Sequence, residues 1–159
     1  MRCVRPHSAL ALRCLTAAWL TWPACASAGG PPPELQGTWV PAKAACTAPA
    51  KVVVGADKLT LVNGADSQAL GEVELAGPSF FGPGYSGIMA VLITEFSGQQ
   101  PLTATFNVGE KKGVAQVEFA PPMPGKTNPQ MAAYNARITA LKLAQRFPLD
   151  KVPLKKCAG

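Results

Sequence analysis

Histidine is almost missing from this 159-residue chain, and the single one, His7, stands near its start. Past that point no Ser-His-Asp or Cys-His mechanism can be assembled, and the usual general base at neutral pH is gone. Zinc and copper sites lose their commonest ligand too. Cysteine is sparse: Cys3, Cys14 and Cys25 lie early, and only Cys46 and Cys157 follow. No C-x-x-C pair occurs, which removes the familiar redox and metal spacings. No Gly-rich phosphate loop sits between a strand and a helix, and no βαβ pattern points to a dinucleotide fold. Near the N-terminus the apolar run Leu15 to Trp22 is bracketed by Arg13 and Pro23. It is about half of the roughly 20 residues that a membrane-crossing helix needs.

What stands at the start is a different kind of segment. Arg2, Arg5 and Arg13 occur with no acidic residue, the short apolar run follows, and Ala26-Ser27-Ala28 closes it. A basic region, a short apolar region and a small-x-small triplet make residues 1–28 a secretory signal peptide. Lipidation at Cys25 is the competing reading, but Trp22-Pro23-Ala24 matches the small aliphatic pattern before such a cysteine poorly. Cleavage after Ala28 removes three of the 15 basic residues and none of the 9 acidic ones, leaving a charge near +3. It also leaves Cys46 and Cys157 alone, and two cysteines in an exported domain read as one disulfide. The expected location is periplasmic or secreted, with no transmembrane segment in the mature chain.

Residues 29–34 form a Gly/Pro leader expected to be flexible, and residues 35–159 a single domain. Strands are expected at Leu35–Val40, Val52–Val54, Lys58–Val62, Glu72–Leu75, Ile88–Phe96, Leu102–Val108 and Val114–Phe119. Leu102, Ala104, Phe106 and Val108 alternate with Thr103, Thr105 and Asn107, the cleanest period of two in the chain. Asn63-Gly64 marks a turn. After Pro121, Pro122 and Pro124 the period becomes helical: Thr127 or Asn128 caps a helix with Pro129 in its first turn. Met131, Tyr134, Ile138 and Leu141 share one face, Asn135, Lys142 and Arg146 a neighbouring polar one, and the helix runs to Phe147. The tail to Cys157 is extended. The expected fold is mainly β (α+β): an antiparallel meander of about seven strands in a partly closed barrel or curved sheet. One C-terminal helix packs on it.

Three groups of residues could carry function. Carboxylates are the only catalytic chemistry left: Glu72 and Glu74 on one face of a strand, with Glu95 further on, most simply solvated charges. The stretch Gly77 to Gly87 sets Phe80, Phe81 and Tyr85 in a Gly/Pro frame between two strands. Aromatics give large contact area at low entropic cost, and Gly and Pro fix the shape, so this is the candidate binding loop. The competing reading plugs one end of the barrel with Phe80 and Phe81. Lys142 and Arg146, with Lys151, Lys155 and Lys156, make the last third basic, suited at most to weak contact with an anionic surface. Nucleic acid is not an expected partner, because the charge is low and the aromatics do not interleave with the cations.

Gly37-Thr38-Trp39, followed by an antiparallel meander and a closing helix, resembles the order of events in lipocalins. The later T-D-Y type signature is missing and the chain is shorter. The resemblance implies a closed barrel and an apolar ligand, whereas the residues alone read Trp39 as core. The expected function is an exported, non-enzymatic binding module acting through the aromatic loop, with no cofactor and no metal. Its target would be a protein or an apolar small molecule of the cell envelope. The alternatives are a lipocalin-like carrier, or an inhibitor or immunity protein of an envelope enzyme.

Overall fold

The structure, a computed structural model, describes residues 30–77, 80–94, 100–125 and 128–158. The proposed signal peptide, Glu95, Phe96 and Thr127 lie outside them. Nine strands form one sheet: β1 (Gly37–Pro41), β2 (Ala50–Val54), β3 (Leu59–Asn63), β4 (Asp66–Leu70) and β5 (Val73–Leu75) come first. β6 (Ala90–Thr94), β7 (Leu102–Phe106) and β8 (Val114–Phe119) follow, then α1 (Pro129–Leu141), α2 (Leu143–Arg146) and β9 (Pro153–Lys156). The spatial order is β4-β3-β2-β1-β9-β8-β7-β6-β5, every neighbouring pair antiparallel.

The two edge strands of that order are consecutive in the chain. Antiparallel pairing all the way round leaves β4 and β5 running in the same direction, and only Gly71 and Glu72 separate them. They are two halves of one bent strand, the first half bonded to β3 and the second to β6. Glu72 takes a left-handed backbone at the bend, with φ of 49°. One strand thus serves both edges, and the sheet curls into a nearly closed barrel, which removes most of the exposed edge.

The barrel interior is filled. Trp39, Leu59, Leu61, Leu92, Phe106, Phe147 and Leu154 are among its fully buried side chains. Trp39 meets the Phe106 ring edge-on, with centroids 4.9 Å apart, and its indole N–H donates to the Leu35 carbonyl at 2.9 Å. The alternation expected in β7 holds, with Leu102, Ala104 and Phe106 buried and Thr103 and Thr105 half-buried. In β6, Val91 to Thr94 are all buried, as an apolar run on both faces requires.

The strand count is nine rather than about seven. β4, Asp66-Ser67-Gln68-Ala69-Leu70, has little strand propensity, and the hairpin from β3 imposes its pairing. β9 carries two lysines and joins β1 to β8 only through long-range ladders. β5 begins at Val73, so Glu72 and Glu74 do not share a strand face. The helix is also broken: Lys142 has φ of 48°, ends α1 and precedes α2. Asn128 caps α1, its Oδ1 accepting the Met131 N–H at 2.8 Å. Of the apolar face only Tyr134 is buried; Met131, Ile138 and Leu141 are half-buried.

The expected disulfide is present. Cys46 and Cys157 are joined with Cα atoms 5.8 Å apart across a separation of 111 residues. Among the described residues no helix is long and apolar enough to cross a membrane.

Candidate functional site

The aromatic loop connects β5 to β6 at one end of the barrel. Its entry continues the ladder, because the Ala76 N–H donates to the Val91 carbonyl at 2.8 Å. Two tight turns follow, Phe80 N–H to Gly77 carbonyl at 3.0 Å and Tyr85 N–H to Gly82 carbonyl at 3.3 Å. Gly82 and Gly87 have φ of 77° and 82°, a region in which a side chain is strained, so the loop path depends on glycine there.

That path gathers the three aromatics on one another. The Phe81 and Tyr85 rings stack with centroids 4.3 Å apart and planes 9° from parallel. Phe80 stands edge-on to Phe81 at 5.5 Å. The Tyr85 hydroxyl donates to the Met89 carbonyl at 2.5 Å, closing the loop on itself. Phe80 remains 60% exposed, Phe81 and Tyr85 are half-buried, and none of the three belongs to the buried core. The loop therefore does not plug the barrel. It covers a cavity of about 230 Å³ lined by Leu35, Leu75, Tyr85, Ile88, Met89 and Asn107.

Asn107 holds this loop in place. Its side-chain N–H donates to the Ile88 carbonyl at 2.8 Å, and its Oδ1 accepts the Gly113 N–H at 3.1 Å. It adopts a left-handed backbone with φ of 55°, which asparagine tolerates better than most residues. Sequence reasoning passed over Asn107. The available signal was an Asn leaving a strand just before a Gly-bounded turn.

Lys142, Arg146 and Lys151 lie at the opposite end, whereas Lys155 and Lys156 close β9 at the loop end, where the Lys156 ammonium donates to the Glu34 carbonyl at 2.7 Å; the five are not brought together. All five Arg146 donors are engaged. Nε and one Nη grip the two Asp66 oxygens at 2.9 and 2.7 Å, and the others reach Gln68, the Leu141 carbonyl and the Ser67 carbonyl. The Asn63 side chain returns a bond to the Arg146 carbonyl at 2.8 Å. This fork holds the β3–β4 hairpin against α2, and the Arg146 hydrogen bond keeps the Asp66 carboxyl below its ordinary range. Lys142 is exposed at the helix break, on the rim of a cavity of 370 Å³ that Phe119, Pro121, Ile138 and Asp150 also line. Asn135 is spent on the Met123 backbone, which it grips through both the N–H and the carbonyl.

The chain matches no known family model, no curated protein and no solved structure.

Proposed function

We propose that this protein is an exported, non-enzymatic binding module whose contact surface is the Phe80–Phe81–Tyr85 loop. The observation that carries this reading is a stacked aromatic cluster held on a pinned Gly/Pro loop, with Phe80 largely in solvent. Such a surface is already ordered before contact, so binding through it loses little conformational entropy. An exposed aromatic outside the core, such as Phe80, contributes little to folding, and aromatics are among the side chains that dominate interfaces. The Cys46–Cys157 disulfide supports work in an oxidising compartment, the periplasm or the exterior.

The partner is a protein of the cell envelope, and a loop braced by Tyr85 and Asn107 with Phe80 exposed favours the inhibitor or immunity form of this reading. The nearly closed barrel with its C-terminal helix is also compatible with the lipocalin-like carrier. That reading is the weaker one, because a ligand in the barrel would have to displace Trp39, Phe106 or Phe147. The test is site-specific photo-crosslinking in the producing cell. A photoreactive residue at position 80 is expected to trap a discrete protein adduct that one at exposed position 43 does not. Identical patterns from the two positions, or none, would overturn the reading.

A further inference from the structure

Among the described residues, the bend that closes the barrel leaves a stretch of β5 backbone with no strand beside it. Ala76 and Val91 form a hydrogen-bonded pair, so by antiparallel alternation Glu74 and Ile93 form the next one. The N–H and C=O groups of Val73 and Leu75 then point away from β6. On that side β5 meets no strand among the described residues: β3 pairs with β2 and with β4, the other half of the bend, and β5 pairs with β6 alone. A groove of about 940 Å³ lies there instead, walled across from β5 by Gly30 and the β2–β3 turn Ala56-Asp57-Lys58. Leu75 and Val73 both line it, Leu75 40% exposed and Val73 buried. The free side of β4 differs: the Ser67 and Ala69 carbonyls already accept bonds from Arg146 and Gln68.

The charge around the groove selects the occupant. Asp57, Glu72 and Glu74 line it against the single cation Lys58, in a chain that carries 15 basic and only 9 acidic residues. A third of the chain's Asp and Glu side chains thus collects around one groove. A second copy pairing edge to edge would set Glu72 and Glu74 against their own equivalents, and like charges placed opposite are destabilising. We propose that the free edge of β5 is a strand-addition site for an extended, basic segment of a partner protein. Backbone bonds to Val73 and Leu75 hold the segment, Leu75 gives it apolar contact, and Asp57, Glu72 and Glu74 face its Lys or Arg side chains. This goes beyond the aromatic-loop reading and does not depend on it.

The test titrates a short peptide of alternating Lys and Val into the oxidised protein and follows backbone amides by NMR. The expected result is shifts and new exchange protection at Val73 and Leu75, with the Ser67 and Ala69 amides unmoved. N-methylation of the peptide at alternate residues removes its donors and is expected to weaken binding by about tenfold or more. Glu72→Gln with Glu74→Gln is expected to weaken it further and to flatten its salt dependence. Phe80→Ala is expected to leave it unchanged, which separates this site from the loop. The proposal is overturned if the Val73 and Leu75 amides are already protected in the free protein, which would mean that the edge is filled by its own chain. It is overturned equally if the N-methylated peptide or a Glu-Val peptide binds as well, if the protein dimerises through this edge, or if Phe80→Ala abolishes binding.

Discussion

The α2 end of the barrel and the β5–β6 end both carry features that look functional in sequence, and the fold uses them in opposite ways. At the α2 end, Phe147 is fully buried and Arg146 lies over its ring at 4.9 Å with every donor occupied. At the other end, Phe80 stands edge-on to Phe81 and is 60% exposed. A cation satisfied by its own chain has little left to offer a partner, because those bonds would have to break first. An aromatic left in solvent brings its apolar area to an interface undiminished. The useful distinction between the ends is thus which groups the fold has already satisfied.

The comparison breaks most easily at the buried end. Phe147→Ala removes a fully buried ring and is expected to cost about 3–5 kcal/mol in urea denaturation. A loss under about 1 kcal/mol would mean that α2 does not seal the barrel. Removing the disulfide by Cys157→Ser is expected to cost about 2–5 kcal/mol, since the bridge closes most of the domain. Thiol labelling of the native protein checks its presence, and two reactive cysteines would rule it out.

The Arg146 clamp sharpens the contrast through pH. Its hydrogen bond, the largest influence, holds the Asp66 carboxyl below the ordinary range, with burial opposing. A depressed folded value means the stabilisation is complete above the unfolded-chain value of about 3.9 and disappears as pH falls through the folded one. Acid unfolding should therefore be steeper below about pH 4 for the parent protein than for Asp66→Asn. Equal slopes would show that the fork seen here does not hold in solution.

The strongly patterned parts of the fold were legible. Period-two alternation identifies β7, an apolar run identifies β6, and the two cysteines that follow residue 28 identify the bridge. What escaped depends on partners far away in sequence. β4 is polar and exists through its register with β3, and the bend at Glu72 answers the need to close a barrel. The clamp joins residues about 80 apart, so Arg146 read as a free cation. At the aromatic loop, composition marked the segment, whereas the stacking of Phe81 on Tyr85 and the brace from Asn107 required the folded backbone.

The smallest expected effect on folding is the most decisive for function. Phe80 is 60% exposed and lies outside the core, so Phe80→Ala should change unfolding free energy by no more than about 0.5 kcal/mol. The same change should weaken capture of the envelope partner sharply, as truncation of an interface aromatic commonly costs about 2 kcal/mol or more. Tyr85→Phe makes the matched control: it keeps the ring stacked on Phe81 and removes only the hydroxyl bond to Met89. It should loosen the loop, seen as faster amide exchange from Ser86 to Met89, and leave the exposed ring in place. If Phe80→Ala destabilises the protein while Tyr85→Phe does not, Phe80 is packed in solution and the contrast between the two ends dissolves. If neither change touches stability and only Phe80→Ala loses the partner, the barrel is a scaffold and this one ring is its point of contact.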